Sequence, residues 1–279
     1  MEVLPDQPLC HTWRMPIIAL TLTAALLYLA SAIVFAPPLL HRRALPRVIG
    51  LSLAGIAVAL HAALLVGMHR GGVDLHFFAA LSLVSVCVAA LCLLVNLARP
   101  IATLGVIVFP LAAILLLVDG FLAPPTQPLQ MEWQIKLHVV FALLGFSVLS
   151  VAAVLAILLA LQEHALRKRR FNGIVGALPP LTLTEALMFR LIAAGFVLLT
   201  LTLLSGILFI DNLFAQHLVH KTVLSIAAWV VFGALLFGRW RYGWRGRRAV
   251  QLTLAGMALL LLAYFGSRFV LEVILKRVA

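Results

Sequence analysis

Eight apolar runs, each about long enough to cross a lipid bilayer, divide this chain with little left over. Hydrophobic windows place them near residues 16–36, 47–67, 75–95, 101–119, 137–161, 187–210, 222–238 and 250–271. A spanning helix takes about 20 mainly apolar residues, so eight of them leave only short connections and no sizeable soluble domain. The reading is an all-α, polytopic integral membrane protein: a single transmembrane domain over 1–279, built as a bundle of about eight helices. Composition agrees, because 64% of residues are hydrophobic and 11% charged, against roughly 45–50% and about 25% in soluble domains. The first run resembles a cleaved leader at Ala30-Ser31-Ala32. Its flank carries Glu2, Asp6 and only Arg14, and its apolar stretch is long, so a retained helix is expected.

The net charge of +12 is confined to connections between apolar runs rather than to a basic face, which argues against nucleic acid as a partner. Lys and Arg in alternate connections set the expected orientation. Fourteen fall after runs one, three, five and seven, and seven on the other side, which puts both termini outside the cytoplasm. The run from Arg239 to Arg248 interleaves arginine with Trp240, Tyr242 and Trp244, a pattern suited to anionic lipid headgroups at a helix end. Of three cysteines, Cys87 and Cys92 lie within one apolar run and Cys10 near the amino end, which fits neither a disulfide framework nor a zinc site.

Two connections carry further information. Pro179-Pro180 breaks the chain between runs five and six, and Thr182 with Glu185 has capping-box spacing, so helix six is expected to begin before its apolar run. The connection from Asp119 to Lys136 contains Pro124, Pro125, Pro128 and Glu132-Trp133, and is a candidate cap over a site on the outer face. Hydrolase motifs and phosphate-binding glycine loops are absent, so no catalytic residues are assigned.

Histidines carry the candidate chemistry. His41 and His164 fall in basic connections and read as solvated or headgroup-facing. His138, at the start of run five, and His220, just before run seven, share the outer side. Two neutral imidazoles on different helices can approach one metal, and histidine is a standard axial ligand of haem iron. An anchoring role at a helix end is the plainer alternative. His61 lies within run two, where an ionisable group usually faces the bundle interior and pairs with something; a bonded core histidine and a ligand are both compatible with that depth. His69, His76 and His217 are second-choice ligands. Gly145, Ser147, Gly195, Ser205, Gly206, Gly256 and Gly266 mark close helix packing or room for a flat ligand, and Trp229 and Phe232 are candidates to flank one, with a core or lipid-facing place as the plainer alternative.

The carboxyl-terminal half carries a resemblance. His220-Lys221-Thr222-Val223-Leu224-Ser225-Ile226-Ala227-Ala228-Trp229, Gly243-Trp244-Arg245-Gly246-Arg247-Arg248-Ala249-Val250 and Leu262-Ala263-Tyr264-Phe265-Gly266-Ser267-Arg268-Phe269 look like the YpjD-type inner-membrane proteins. Leu178-Pro179-Pro180-Leu181 with Glu185 and Met188-Phe189, and Leu199-Thr200-Leu201-Thr202 with Ser205-Gly206, fit the same likeness. That group is similar to the CcsA-type and HemX-type proteins of the cytochrome c assembly family. The likeness covers most of residues 130–279, and the first half only in hydropathy and span count.

This resemblance implies a bacterial inner-membrane protein that holds or presents haem, taken as haem b, at the outer face, with apocytochrome c or other maturation proteins as partners beside membrane lipid. By position, His138 and His220 are similar to the family's outer haem-binding pair, and His61 to a histidine within the bundle. The family's tryptophan-rich loop is missing: residues 119–136 contain one tryptophan, Trp133. HemX-type relatives are associated with control of haem synthesis instead. The expected chemistry is ligation rather than enzymatic catalysis. The alternative is a non-haem accessory or scaffold subunit or a small-solute transporter, although no run has the central Gly-Pro interruption that discontinuous transporter helices favour.

Overall fold

The computed structural model describes residues 9–37, 45–68, 76–99, 101–123, 131–168, 180–209 and 219–266. Eight α-helices account for most of them: α1 (Leu9–Phe35), α2 (Arg47–Met68), α3 (Phe77–Ala98), α4 (Ala102–Leu122), α5 (Trp133–Arg167), α6 (Leu181–Phe209), α7 (Val219–Tyr242) and α8 (Arg247–Leu261). A π-helical turn, Leu262–Gly266, prolongs α8. Each of the eight contains a segment long and apolar enough to cross a membrane. Hydrocarbon offers no partners to backbone amides, and a helix satisfies them within its own segment. His41, His69, His217 and the prolines of the 119–136 connection lie outside the described residues.

The helices extend past the apolar windows where polar residues continue them. α5 runs from Trp133 to Arg167 instead of 137–161, and α6 starts at Leu181, six residues before its window. The expected early start of α6 holds, but the capping box does not. Thr182 is exposed inside the first turn, the amides of Leu183 and Thr184 donate to the Pro180 carbonyl, and the Glu185 carboxylate turns to arginines of the α7–α8 end. Capping spacing is an intrahelical pattern, and a buried ion pair outcompetes it.

α1 packs against α2 and α4, α3 bridges α4 and α5, α5 lies along α6, and α8 fits against α5 and α7. The core is aliphatic, with Leu149, Leu155, Leu159, Met188 and Ile192 fully buried along α5 and α6. Small residues permit this approach. A Cβ added at Gly195 would come within 2.5 Å of Leu149 Cγ, and one at Gly145 within 3.3 Å of Leu198 Cβ. Gly195→Ala must therefore displace Leu149, and overpacking of this kind costs roughly 1–3 kcal/mol. Thermal unfolding in detergent should show the loss, with Gly67→Ala, which meets nothing within 4 Å, as the benign comparison.

Polar contacts tie the helix ends. The Arg47 guanidinium, at the start of α2, donates to the carbonyls of Asn96 and Leu97, placing a cation on the carboxyl end of α3 where the helix dipole favours it. At the end of the bundle that gathers the start of α6 and the end of α7, Glu185 is buried with a side-chain exposure of 3%. Its Oε1 accepts from Arg239 Nη1 at 2.9 Å, and both carboxylate oxygens accept from Arg245, at 2.8–3.1 Å. These bonds, and the Glu185 charge behind them, raise the Arg245 pKa above the ordinary guanidinium value. Gly243 and Gly246 hold positive φ, 64° and 56°, in the turn that brings Arg245 back to α6.

Candidate functional site

At the opposite end, the starts of α3, α5 and α7 converge with the ends of α6 and α8 around a cavity of ≈480 Å³, within the range of small-molecule and cofactor sites. Its walls are mainly aliphatic, with Trp229, Tyr264 and Phe265 as aromatic faces. His138, Lys221, Thr200, Thr202, Thr222 and Ser225 are its polar residues. The π-helical turn widens the end of α8 so that Ala263, Tyr264 and Phe265 all reach the wall. Such turns are rare and concentrate at functional sites. Phe146 supports them from α5, its ring 5.3 Å from that of Tyr264 and 5.4 Å from that of Phe265.

His138 is hydrogen-bonded across to α6. Its Nδ1 lies 2.9 Å from Ser205 Oγ, and Ser205 donates its single hydroxyl proton to the Thr202 carbonyl at 3.0 Å. With that proton on Thr202, the Ser205 oxygen is an acceptor for His138 Nδ1–H, the tautomer that puts the ring's lone pair on Nε2. This is the arrangement by which a hydrogen bond orients a metal-binding imidazole. The ring of Trp229 is fixed similarly: Nε1 donates to Thr200 Oγ1 at 2.9 Å, and its face stacks on Phe196 at 5.4 Å.

The other candidates are placed differently. His138 lies in the second turn of α5, because Trp133–Leu137 extend the helix beyond the apolar run, whereas His220 lies in the first turn of α7. His220 is exposed and is not part of the cavity wall, although Lys221 and Thr222 beside it are. His61 is fully buried away from the cavity. Its Nδ1 meets Tyr28 Oη at 3.3 Å and its Nε2 meets Ser82 Oγ at 3.0 Å. Both ring nitrogens are engaged in this state, and an iron at His61 would have to displace one partner. His76 packs against Phe78 at the start of α3, and His164 is exposed at the far end. Among the described residues, no group of three or more His, Cys, Asp or Glu side chains is arranged to hold a metal ion. Trp229 lines the cavity, whereas Phe232 is buried against Gly256. Sequence reading missed Ser205 as the partner of His138 and the π turn. A serine one turn inside the end of the neighbouring helix was the only visible signal.

Comparison with known proteins gives the following. The family described as Cytochrome C assembly protein matches residues 19–275. The chain is 42% identical over 139 residues to Inner membrane protein YpjD of Escherichia coli, covering 49% of this chain and 52% of that protein. It is 37% identical over 143 residues to an uncharacterized 28.8 kDa protein of Azospirillum brasilense, covering 50% and 53% respectively. Cytochrome c biogenesis protein CcsA of Guillardia theta is 26% identical over 164 residues, covering 53% and 54%. The chain thus spans about half the length of the curated relatives it matches. No solved structure matches.

Proposed function

This chain belongs to the cytochrome C assembly protein family, and from that premise we propose that it is a haem-handling protein of cytochrome c biogenesis in the bacterial inner membrane. The observation that supports this reading is His138, hydrogen-bonded to Ser205 on the wall of an apolar cavity. The residues fit the group. A neutral imidazole suits haem iron, aliphatic and aromatic walls suit a macrocycle, and Lys221, Thr222 and Ser225 suit its carboxylates. Haem b, held without a covalent bond, is the form such a cavity would take.

His138 would hold the iron, and His220, on the first turn of α7 and outside the cavity wall, is the second residue proposed to hold it. Bound there, haem supplies a redox-active iron. The chain's own part would be to bind, orient and shield: Ser205 would orient the His138 ring, Trp229 and Tyr264 would wall the macrocycle, and Lys221 would lie beside its carboxylates. His61, between Tyr28 and Ser82, would become a ligand only by giving up one of those bonds. Counting Lys and Arg in alternate connections supports placing the cavity end outside the cytoplasm, where apocytochrome c would be the recipient.

The test is genetic. Cells lacking this protein should show reduced haem staining of c-type cytochromes, restored by the wild-type chain but not by His138→Ala at equal membrane abundance. Unchanged cytochrome c in the deletion strain would overturn the biogenesis role.

A further inference from the structure

The cavity is partly open, and its α6 and α7 walls carry exposed apolar side chains. Leu204 and Ile207 of α6 and Ile226 of α7 line it, and they are 50%, 65% and 44% exposed. Deeper in the membrane the same two helices are closed. Trp229 stacks on Phe196 and donates to Thr200, and Gly233 leaves 3.3 Å between a notional Cβ and the Phe196 ring. The two helices thus meet at Phe196–Trp229 and part beyond it. Ile226 lies seven residues into α7, so the mouth sits within about 10 Å of the helix end at the helical rise, in the outer part of the acyl region.

We infer that the cleft between α6 and α7 is a lateral portal through which an amphiphilic, carboxylate-bearing tetrapyrrole passes from the lipid phase to the His138 cavity. The inference rests on the haem-handling reading and adds its route. The mouth is aliphatic, as an acyl environment demands. Lys221, at the membrane-surface end of the same cleft, complements carboxylates that stay at headgroup level while the macrocycle slides inward. A phospholipid acyl chain would find the same aliphatic rim but no use for His138 at the cavity wall.

The route is tested with iron-free protoporphyrin IX, which needs no axial ligand. The full-length protein in phosphatidylcholine nanodiscs is mixed with vesicles preloaded with the porphyrin, or with the porphyrin carried by serum albumin, and uptake is followed by tryptophan-to-porphyrin energy transfer. Ile226→Trp and Ile207→Trp, on opposite sides of the mouth, should each slow uptake from vesicles by about tenfold or more, as gating steps do, while final occupancy stays that of the wild type. Val230→Trp, equally lipid-facing but outside the cavity wall, should leave the rate unchanged. Wild-type rates in both rim variants, uptake only from albumin, or a wild-type cleft that takes up no porphyrin because phospholipid fills it would each overturn the portal. Failure of iron ligation is separable, because it would appear as a haem spectrum indifferent to His138→Ala while porphyrin uptake stayed sensitive to the rim.

Discussion

His138→Ala is expected to abolish stoichiometric haem binding. Losing only a hydrogen-bond partner of a metal ligand costs roughly 10–100-fold in affinity, and removing the ligand itself should exceed that. The cavity would keep its walls, because His138 is only half-buried and its bond to Ser205 spans neighbouring helices without filling the core. The protein should therefore fold, elute normally in detergent and lack the Soret band. His220→Ala gives the informative contrast. If His220 is the second axial ligand, this variant keeps haem but shifts it from six-coordinate low-spin to five-coordinate high-spin. His61→Ala separates the buried site from the cavity, since a changed haem spectrum in that variant would make His61 a ligand in spite of its bonds to Tyr28 and Ser82.

The second large effect lies at the other end of the bundle. Glu185→Ala should lower stability by about 2 kcal/mol, below the 3–5 kcal/mol of a fully buried pair because its partner Arg239 reaches water. It removes the one carboxylate that joins α6 to Arg239 at the end of α7 and to Arg245 in the following turn. Arg239 also lies over the Phe189 ring at 4.7 Å, so it keeps one contact on α6 when the carboxylate is gone. The expected readout is a lower unfolding midpoint with haem affinity nearly intact, because the network is distant from the cavity. Equal losses in both would mean that the two ends are coupled.

How much of this was legible in the sequence depends on the range of each interaction. Span number and helical class were readable because bilayer thickness sets the length of each apolar run and hydrocarbon enforces the helix. Helix ends were not, because Trp133–Leu137 and Gln162–Arg167 continue α5 in polar surroundings that no hydropathy window registers. His138 was a candidate from depth and residue type, and it lies on the cavity wall. Its tautomer was not legible, since that depends on Ser205, 67 residues away, and on which group takes the serine proton. Glu185 shows the opposite failure: its spacing from Thr182 fits a local capping pattern, while the interaction that prevails reaches 54 and 60 residues along the chain. Gly145 and Gly195, compatible in sequence with either close packing or room for a ligand, are packing sites, and nothing local announced the π turn that brings Tyr264 and Phe265 to the cavity wall.

The most direct measurement is the absorption spectrum, oxidised and reduced, of wild-type protein purified in detergent with haem supplied during expression, alongside His138→Ala. Ligation by His138 predicts near-stoichiometric haem with low-spin bands in the wild type and their loss in the variant. Folded wild type without stoichiometric haem, or identical spectra from the two proteins, would contradict it and leave the cavity to another occupant.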